Sequence, residues 1–271
     1  MKLLLRVLIL LCVFTPFLSG AANAAEPFDH STFDALLKRF VNDRALVDYA
    51  AIKADPAQLN SYVAQIAARS PDSHPQDFPT REAQLAYWIN AYNALVIHGV
   101  AEKWPTKSVR DLGFLFGFFR NKKFTVGGRQ MTLDNIEHDT IRKHFADPRI
   151  HFAVNCAAIS CPRLGRDAYT AENLERLLNA AARSFFNDPA YFRIDRGANR
   201  VTTSKILDWY GVDFEKYVSV KQPGVRGNAI LVYARNYLRD DARRTLEAMQ
   251  NPRVVFFDYD WGINSSMPPQ R

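Results

Sequence analysis

His151-Phe152-Ala153-Val154-Asn155-Cys156-Ala157-Ala158-Ile159-Ser160-Cys161-Pro162 is the stretch on which the reading of this 271-residue chain turns. Ile150 to Val154 is apolar and partly β-branched, which predicts a buried strand, and Pro162 ends whatever regular structure follows. Both cysteines downstream of the N-terminal segment, Cys156 and Cys161, sit at the end of that strand. Four fates are open to them: a Cys156–Cys161 disulfide, a reactive thiol, an inert buried thiol, or a metal site. Metal ranks last, because no compact Cys/His spacing closes four ligands.

Working upstream, Leu133 to Phe145 carries Ile136 and Ile141 at helical spacing, with Thr132 as its cap. Glu137 falls at the edge of that apolar stripe, and His138 has Asp134 at i−4 and Arg142 at i+4. An imidazole that takes the proton of a thiol leaves a nucleophilic thiolate, and a carboxylate on the other ring nitrogen fixes its tautomer. This assigns Cys156 as nucleophile, His138 as base and Glu137 or Asp134 as orienter, with Arg142 available to a substrate. The plain alternative is a surface ladder of Asp134, His138 and Arg142. His151 ranks below His138, because an odd separation along a strand puts its side chain on the face opposite Cys156.

Further upstream, Arg81 to Lys103 reads as the longest helix, entered from Thr80 and stopped by Trp104-Pro105. Inside it, Tyr87-Trp88-Ile89-Asn90-Ala91-Tyr92-Asn93-Ala94-Leu95 places two amides three residues apart. Asparagine is a poor helix-interior residue. Asn90 and Asn93 therefore either contact a substrate, one of them as an oxyanion donor, or hydrogen-bond neighbouring loops in the core. Phe114 to Phe119 is an aromatic stretch without period, a lid or a packing loop.

The remaining pattern interleaves helices and short strands without a regular βα repeat. Lys123 to Val126 and Arg129 to Met131 flank Gly127-Gly128 as a hairpin, Tyr191 to Ile194 and Arg200 to Thr203 form a second, and Val254 to Tyr259 a last strand. The expected fold is α+β, a single domain over residues 25–271 with a mixed or antiparallel sheet packed against several helices. Residues 1–24 have Lys2 and Arg6, an apolar run from Val7 to Leu18 and then Ala22-Asn23-Ala24, the three parts of a signal peptide. A periplasmic or secreted location follows, with no stable membrane span after its removal. The shortened chain has 33 basic and 28 acidic residues, a mild and scattered excess. No aromatic-interleaved basic stripe exists of the kind a nucleic-acid groove needs. No cofactor is implied, and the ligand is left as a small molecule or peptide.

Tyr87 to Leu95, Ile136-Glu137-His138, His151 to Cys156, Ser160-Cys161-Pro162 and Tyr259-Asp260-Trp261, taken in that order, resemble the DUF547 family from about Tyr49 to Asn264. The family's function is unassigned, so the resemblance transfers no activity. It implies that Ile-Glu-His and the cysteine of the Phe-Ala segment recur, whereas the position of Cys161 can be serine. That shifts weight from an obligatory disulfide toward Cys156 as a working thiol. Two readings result. One is an exported thiol-dependent hydrolase or transferase acting on an amide, peptide or thioester-like bond. The other is a non-catalytic envelope protein that binds a partner and uses the cysteines as a staple.

Overall fold

The computed structural model describes residues 27–267; residues 1–24, for which a signal peptide is expected, lie outside the described residues. A first layer of helices comprises α1 (Ser31–Phe40), α2 (Tyr49–Ala54) and α3 (Ala57–Ala68), packed around α4 (Arg81–Lys103). Thr80 caps α4 as its sequence demands, its hydroxyl accepting from the Ala83 amide at 3.1 Å. From Leu85 to Ile97 every residue of α4 is buried, apolar and polar sides alike, so this helix runs through the core and not across its surface.

A short turn, α5 (Gly117–Arg120), precedes the hairpin of β1 (Phe124–Val126) and β2 (Arg129–Met131). Gly127 and Gly128 take φ of 55° and 80° at its tip. Their amides donate to Ile66 and Ala67 at the end of α3, so the turn satisfies carbonyls that a helix terminus leaves open. The helix that follows is wound from Asn135 to Arg142 as a π-helix and closes with one α-turn, α6 (Lys143–Phe145). Such i→i+5 winding is rare and gathers at functional sites.

The stretch from Ile150 to Val154 is not a strand. Pro148–Phe152 is a 3₁₀-helix, followed by irregular chain, because Asp147 caps it through the Arg149 amide and Pro148 occupies its first turn. The parity that separated His151 from Cys156 therefore does not apply.

After α7 (Leu174–Phe186) the chain builds a second hydrophobic core. It holds a three-stranded mixed sheet, in which β3 (Phe192–Asp195) pairs antiparallel with β4 (Arg200–Thr203) and β4 pairs parallel with β5 (Arg253–Phe256). Around the sheet lie α8 (Lys205–Trp209), α9 (Gly211–Lys221), α10 (Ala229–Ala234) and α11 (Asp240–Glu247). The α+β expectation is met in this form, with small sheets and a helical majority. Phe152 belongs to the second core although its chain neighbours belong to the first, which pins the cysteine segment to the junction.

The C-terminal segment crosses the same junction. After β5 it pairs Ile263 with Ala158 and Ser265 with Val47, returning to the first core and laying Tyr259 and Trp261 beside the cysteine loop. No described helix is long and apolar enough to cross a membrane.

Candidate functional site

The two cores face each other across a cavity of about 490 Å³. Its lining includes Glu137, His138 and Arg142 from the π-helix, His151, Cys156 and Cys161 from the segment after it, Tyr210 from the turn before α9, and Tyr259. Sequence reasoning brought Cys156, Glu137, His138, Asp134 and Arg142 to one place, and all five line this cavity.

The loop that carries Cys156 is held from several sides. Asn93 on α4 donates from Nδ2 to the Ala153 carbonyl at 2.9 Å and accepts from the Asn155 amide at 2.8 Å, bracketing Val154. Asn155 donates from Nδ2 to the Pro162 carbonyl at 2.7 Å and accepts from the Ala157 amide at 2.8 Å. Between them Ala157, fully buried, is held at φ 65°, a conformation that a residue with a Cβ adopts only when its surroundings impose it. Asn90 makes a matching pair with the backbone of Tyr169, at 2.7 and 3.0 Å. Asn90 and Asn93 are thus not substrate contacts. Each amide gives a donor and an acceptor to backbone, both are buried, and neither lines the cavity.

Cys156 and Cys161 are free thiols in this structure, and the disulfide reading is not the arrangement seen. Cys161 Sγ accepts from the Cys156 amide at 3.0 Å. Cys156 Sγ lies 3.2 Å from the Tyr259 hydroxyl. The Cys161 thiol, the Tyr259 hydroxyl and the Ala158 amide all act on the Cys156 sulfur and pull its pKa below the ordinary thiol value, against burial and the Glu137 charge. Burial, and then the charge on Cys156, push Cys161 well up. Burial and the cysteine charges likewise keep Tyr259 protonated, as a donor. Of the two thiols, Cys156 is the one whose ionisation its surroundings favour.

The two histidines differ in what their ring nitrogens have left to offer. His138 Nδ1 accepts from Arg142 Nη1 at 2.8 Å, and its Nε2 faces Asp134 Oδ1 at 3.4 Å. The Asp134–His138–Arg142 ladder is therefore formed, and both nitrogens of His138 are engaged. The assignment of His138 as the base is corrected on this ground. His151 Nε2 is 2.9 Å from Asp213 Oδ2, and since a carboxylate only accepts, that nitrogen carries the hydrogen. Its Nδ1 is buried and has no hydrogen-bond partner. Burial lowers the His151 pKa in spite of Asp213, so the ring is neutral at pH 7 with its lone pair on Nδ1. This is the state a general base needs.

Asp213 also binds Arg142 through both oxygens, at 2.7 and 3.1 Å. Burial would raise its pKa, but His151 and Arg142 outweigh this and hold the carboxyl well below the usual range. Arg142 is thus committed to Asp213 and His138, lies over the Tyr210 ring at 4.9 Å, and is not free for substrate. Tyr210 stacks on His151 with ring centres 4.1 Å apart. Burial and the nearby Glu137 keep Tyr210 protonated.

Glu137 is 7% exposed, and the charge it presents acts on Cys156, His151 and Tyr210 alike. The π-winding widens the turn, which lets Glu137 and its neighbour His138 both reach the cavity where an α-helix would splay them apart. Opposite these polar groups stands an aromatic wall. Tyr259 and Trp261 are 4.4 Å apart between ring centres, Trp209 and Tyr259 4.8 Å, and Phe116 and Trp261 5.0 Å. The Phe114–Phe119 stretch packs at the edge of the cavity. Phe118 is buried as an anchor, Phe116 and Phe119 line the cavity, and Leu115 and Phe116 take φ of 49° and 62°.

Residues 75–186 match the family model described as "Protein of unknown function, DUF547". The match covers less than half of the chain. No curated protein and no solved structure matches it significantly. The DUF547 segment contains α4, the π-helix, His151 and both cysteines, but ends before Tyr210, Asp213 and Tyr259. Tyr210 and Asp213, from the second half of the fold, and Tyr259, from the C-terminal segment on the first core, complete the surroundings of Cys156 and His151. Asp213 escaped sequence reading because α9 buries only Phe214 and Val218, a stripe too thin to declare a helix.

Proposed function

We propose that this protein is a thiol-dependent acyl hydrolase or transferase, with Cys156 as nucleophile and the His151–Asp213 pair as base and orienter. The carrying observation is a pinned, half-buried thiol whose sulfur lies 3.2 Å from the Tyr259 hydroxyl, sharing a cavity with a neutral histidine whose one free nitrogen has no partner. Cys156 Sγ attacks the carbonyl carbon of an amide, peptide or thioester-like substrate whose apolar part rests on the Tyr259–Trp261 wall; the S–C bond forms, the C–N or C–S bond breaks, and the amine or thiol leaves with the proton that Cys156 gave up. The Ala158 amide and the Tyr259 hydroxyl, which hold charge on the sulfur beforehand, stand next to the oxygen on which charge then develops. His151 Nδ1 takes the proton of the attacking water or acceptor in the second step, and Asp213 stabilises the resulting imidazolium. Arg142 keeps Asp213 ionised and in place.

Glu137 is assigned to the substrate side of the cavity, where it accepts a hydrogen bond from an N–H or O–H group flanking the scissile bond. The proposal includes export, read from residues 1–24, which N-terminal sequencing of the chain recovered from the envelope fraction checks.

The test is covalent capture. The purified chain is incubated with a panel of activated thioesters and anilides, and adducts are mapped by mass spectrometry. Acylation of Cys156 in the wild type and none in Cys156→Ala is the expected result. Acylation confined to other residues, or none with any acyl donor, overturns the proposal.

A further inference from the structure

Cys161 has no role in acyl transfer beyond its contact with Cys156, and its placement asks for another explanation. It is 4% exposed, lines the same cavity as the half-buried Cys156, and its sulfur lies 3.0 Å from the Cys156 amide nitrogen. The side chain of Asn155, the residue before Cys156, is hydrogen-bonded to the carbonyl of Pro162, the residue after Cys161, at 2.7 Å. This one bond closes the loop around both cysteines. The Cys156 amide bonded to Cys161 Sγ at 3.0 Å, and the Cys161 amide bonded to the Ala158 carbonyl at 3.1 Å, fix the loop from inside. Two sulfurs held together this way pay little entropy to join.

We propose that Cys156 is a hydroperoxide-reactive site and that Cys161 is its resolving cysteine, so that oxidation closes a reversible Cys156–Cys161 disulfide. The Cys156 thiolate attacks the terminal oxygen of a hydroperoxide; the S–O bond forms, the O–O bond breaks, and the alkoxide or hydroxide leaves with a proton as alcohol or water. Cys161 then attacks Cys156 Sγ. The S–S bond forms, the S–O bond breaks, and the departing hydroxide takes the Cys161 proton as water. The two thiols lose two electrons and the peroxide gains them; a dithiol reductant reverses the change. The asymmetry of the pair fits these roles, since the half-buried member carries the thiolate and the buried member keeps its proton until the second step.

This inference deepens the acyl-transfer reading by adding regulation of the same sulfur, but its chemistry does not require that reading. The full chain, reduced and freed of reductant, is treated with hydrogen peroxide and mapped by mass spectrometry, in parallel with alkylation of untreated protein by iodoacetamide. Stoichiometric peroxide converts the wild type to a Cys156–Cys161 disulfide that thioredoxin-type dithiols or dithiothreitol reduce. In Cys161→Ser, folding being checked by thermal melting, a dimedone-trappable sulfenic acid accumulates on Cys156 and passes to sulfinic acid.

Wild-type protein that goes directly to sulfinic acid on Cys156 without the disulfide overturns the resolving role. Oxidation no faster than that of free cysteine overturns the peroxide site. If the disulfide forms while no acyl donor labels Cys156, the redox role stands and the acyl-transfer reading falls. If acyl donors label Cys156 and peroxide forms no disulfide, the reverse holds.

Discussion

Two helices present polar side chains to the cysteine segment, and they use them in opposite ways. On α4, Asn90 and Asn93 spend their donors and acceptors on the backbone of Tyr169, Ala153 and Asn155. On the π-helix and the turn after it, Glu137 and His151 keep polar atoms that no protein group occupies or that face the cavity. A buried polar group must find a partner, and where the protein supplies all of them the group is scaffold. Where one is left open beside a cavity, a ligand or a proton can supply it. The same criterion divides the histidines, since both nitrogens of His138 are taken and one of His151 is not.

Substitutions on the two sides should break differently. Cys156→Ala lowers turnover of any acyl donor found for the protein by about 10³-fold or more, with the melting temperature nearly unchanged. Next in size, His151→Gln or Asp213→Asn costs about 10²- to 10³-fold in the deacylation rate and flattens its pH dependence. His138→Gln should cost under about tenfold; equal losses at the two histidines in single-turnover kinetics would erase the distinction drawn between them. On the scaffold side, Asn93→Ala leaves the Asn155 amide and the Ala153 carbonyl unpaired and lowers unfolding free energy by about 2–4 kcal/mol in urea melts. An unchanged melt would show that Asn93 is not holding the loop.

A control far from the cavity comes from His30, whose Nδ1 is 2.7 Å from the Tyr62 hydroxyl. Burial lowers its pKa from 6.5 to about 4. The unfolded chain binds a proton here before the folded one does, so the neutral ring supports the fold fully above pH 6.5. That support is lost as pH falls from 6.5 toward 4. The loss is about 3 kcal/mol at most. His30→Gln should flatten stability in that window; an unaltered slope would assign the acid sensitivity elsewhere. Smallest of all, Tyr259→Phe removes one donor to the thiolate and slows alkylation of Cys156 at neutral pH by a few fold, an effect of about 1 kcal/mol.

Much of the fold was open to sequence reading because local signals agree with it. Thr80 and Trp104-Pro105 bound α4 as they are observed to, and Gly127-Gly128 make the first hairpin. The cysteine segment misled, since Ile150 to Val154 is apolar for reasons of core packing and not of sheet, and periodicity cannot separate a short buried run of either kind. The error propagated: a false strand gave a false parity, and the parity demoted His151. Cys156 and Glu137 were legible from their types and spacing. Asp213, 62 residues beyond His151 in the chain, was not, because its pairing depends on the docking of the second core. The π-winding was equally hidden, as the apolar spacing of Ile136 and Ile141 suits an ordinary helix.

The central claim is that Cys156 carries a thiolate which its three donors stabilise. The pH dependence of its alkylation by iodoacetamide, followed by peptide mapping on reduced protein, tests this most directly. A midpoint below the roughly 8.5 of free cysteine, raised by Tyr259→Phe, is the predicted result. A midpoint at or above that of free cysteine, indifferent to Tyr259, would contradict the account.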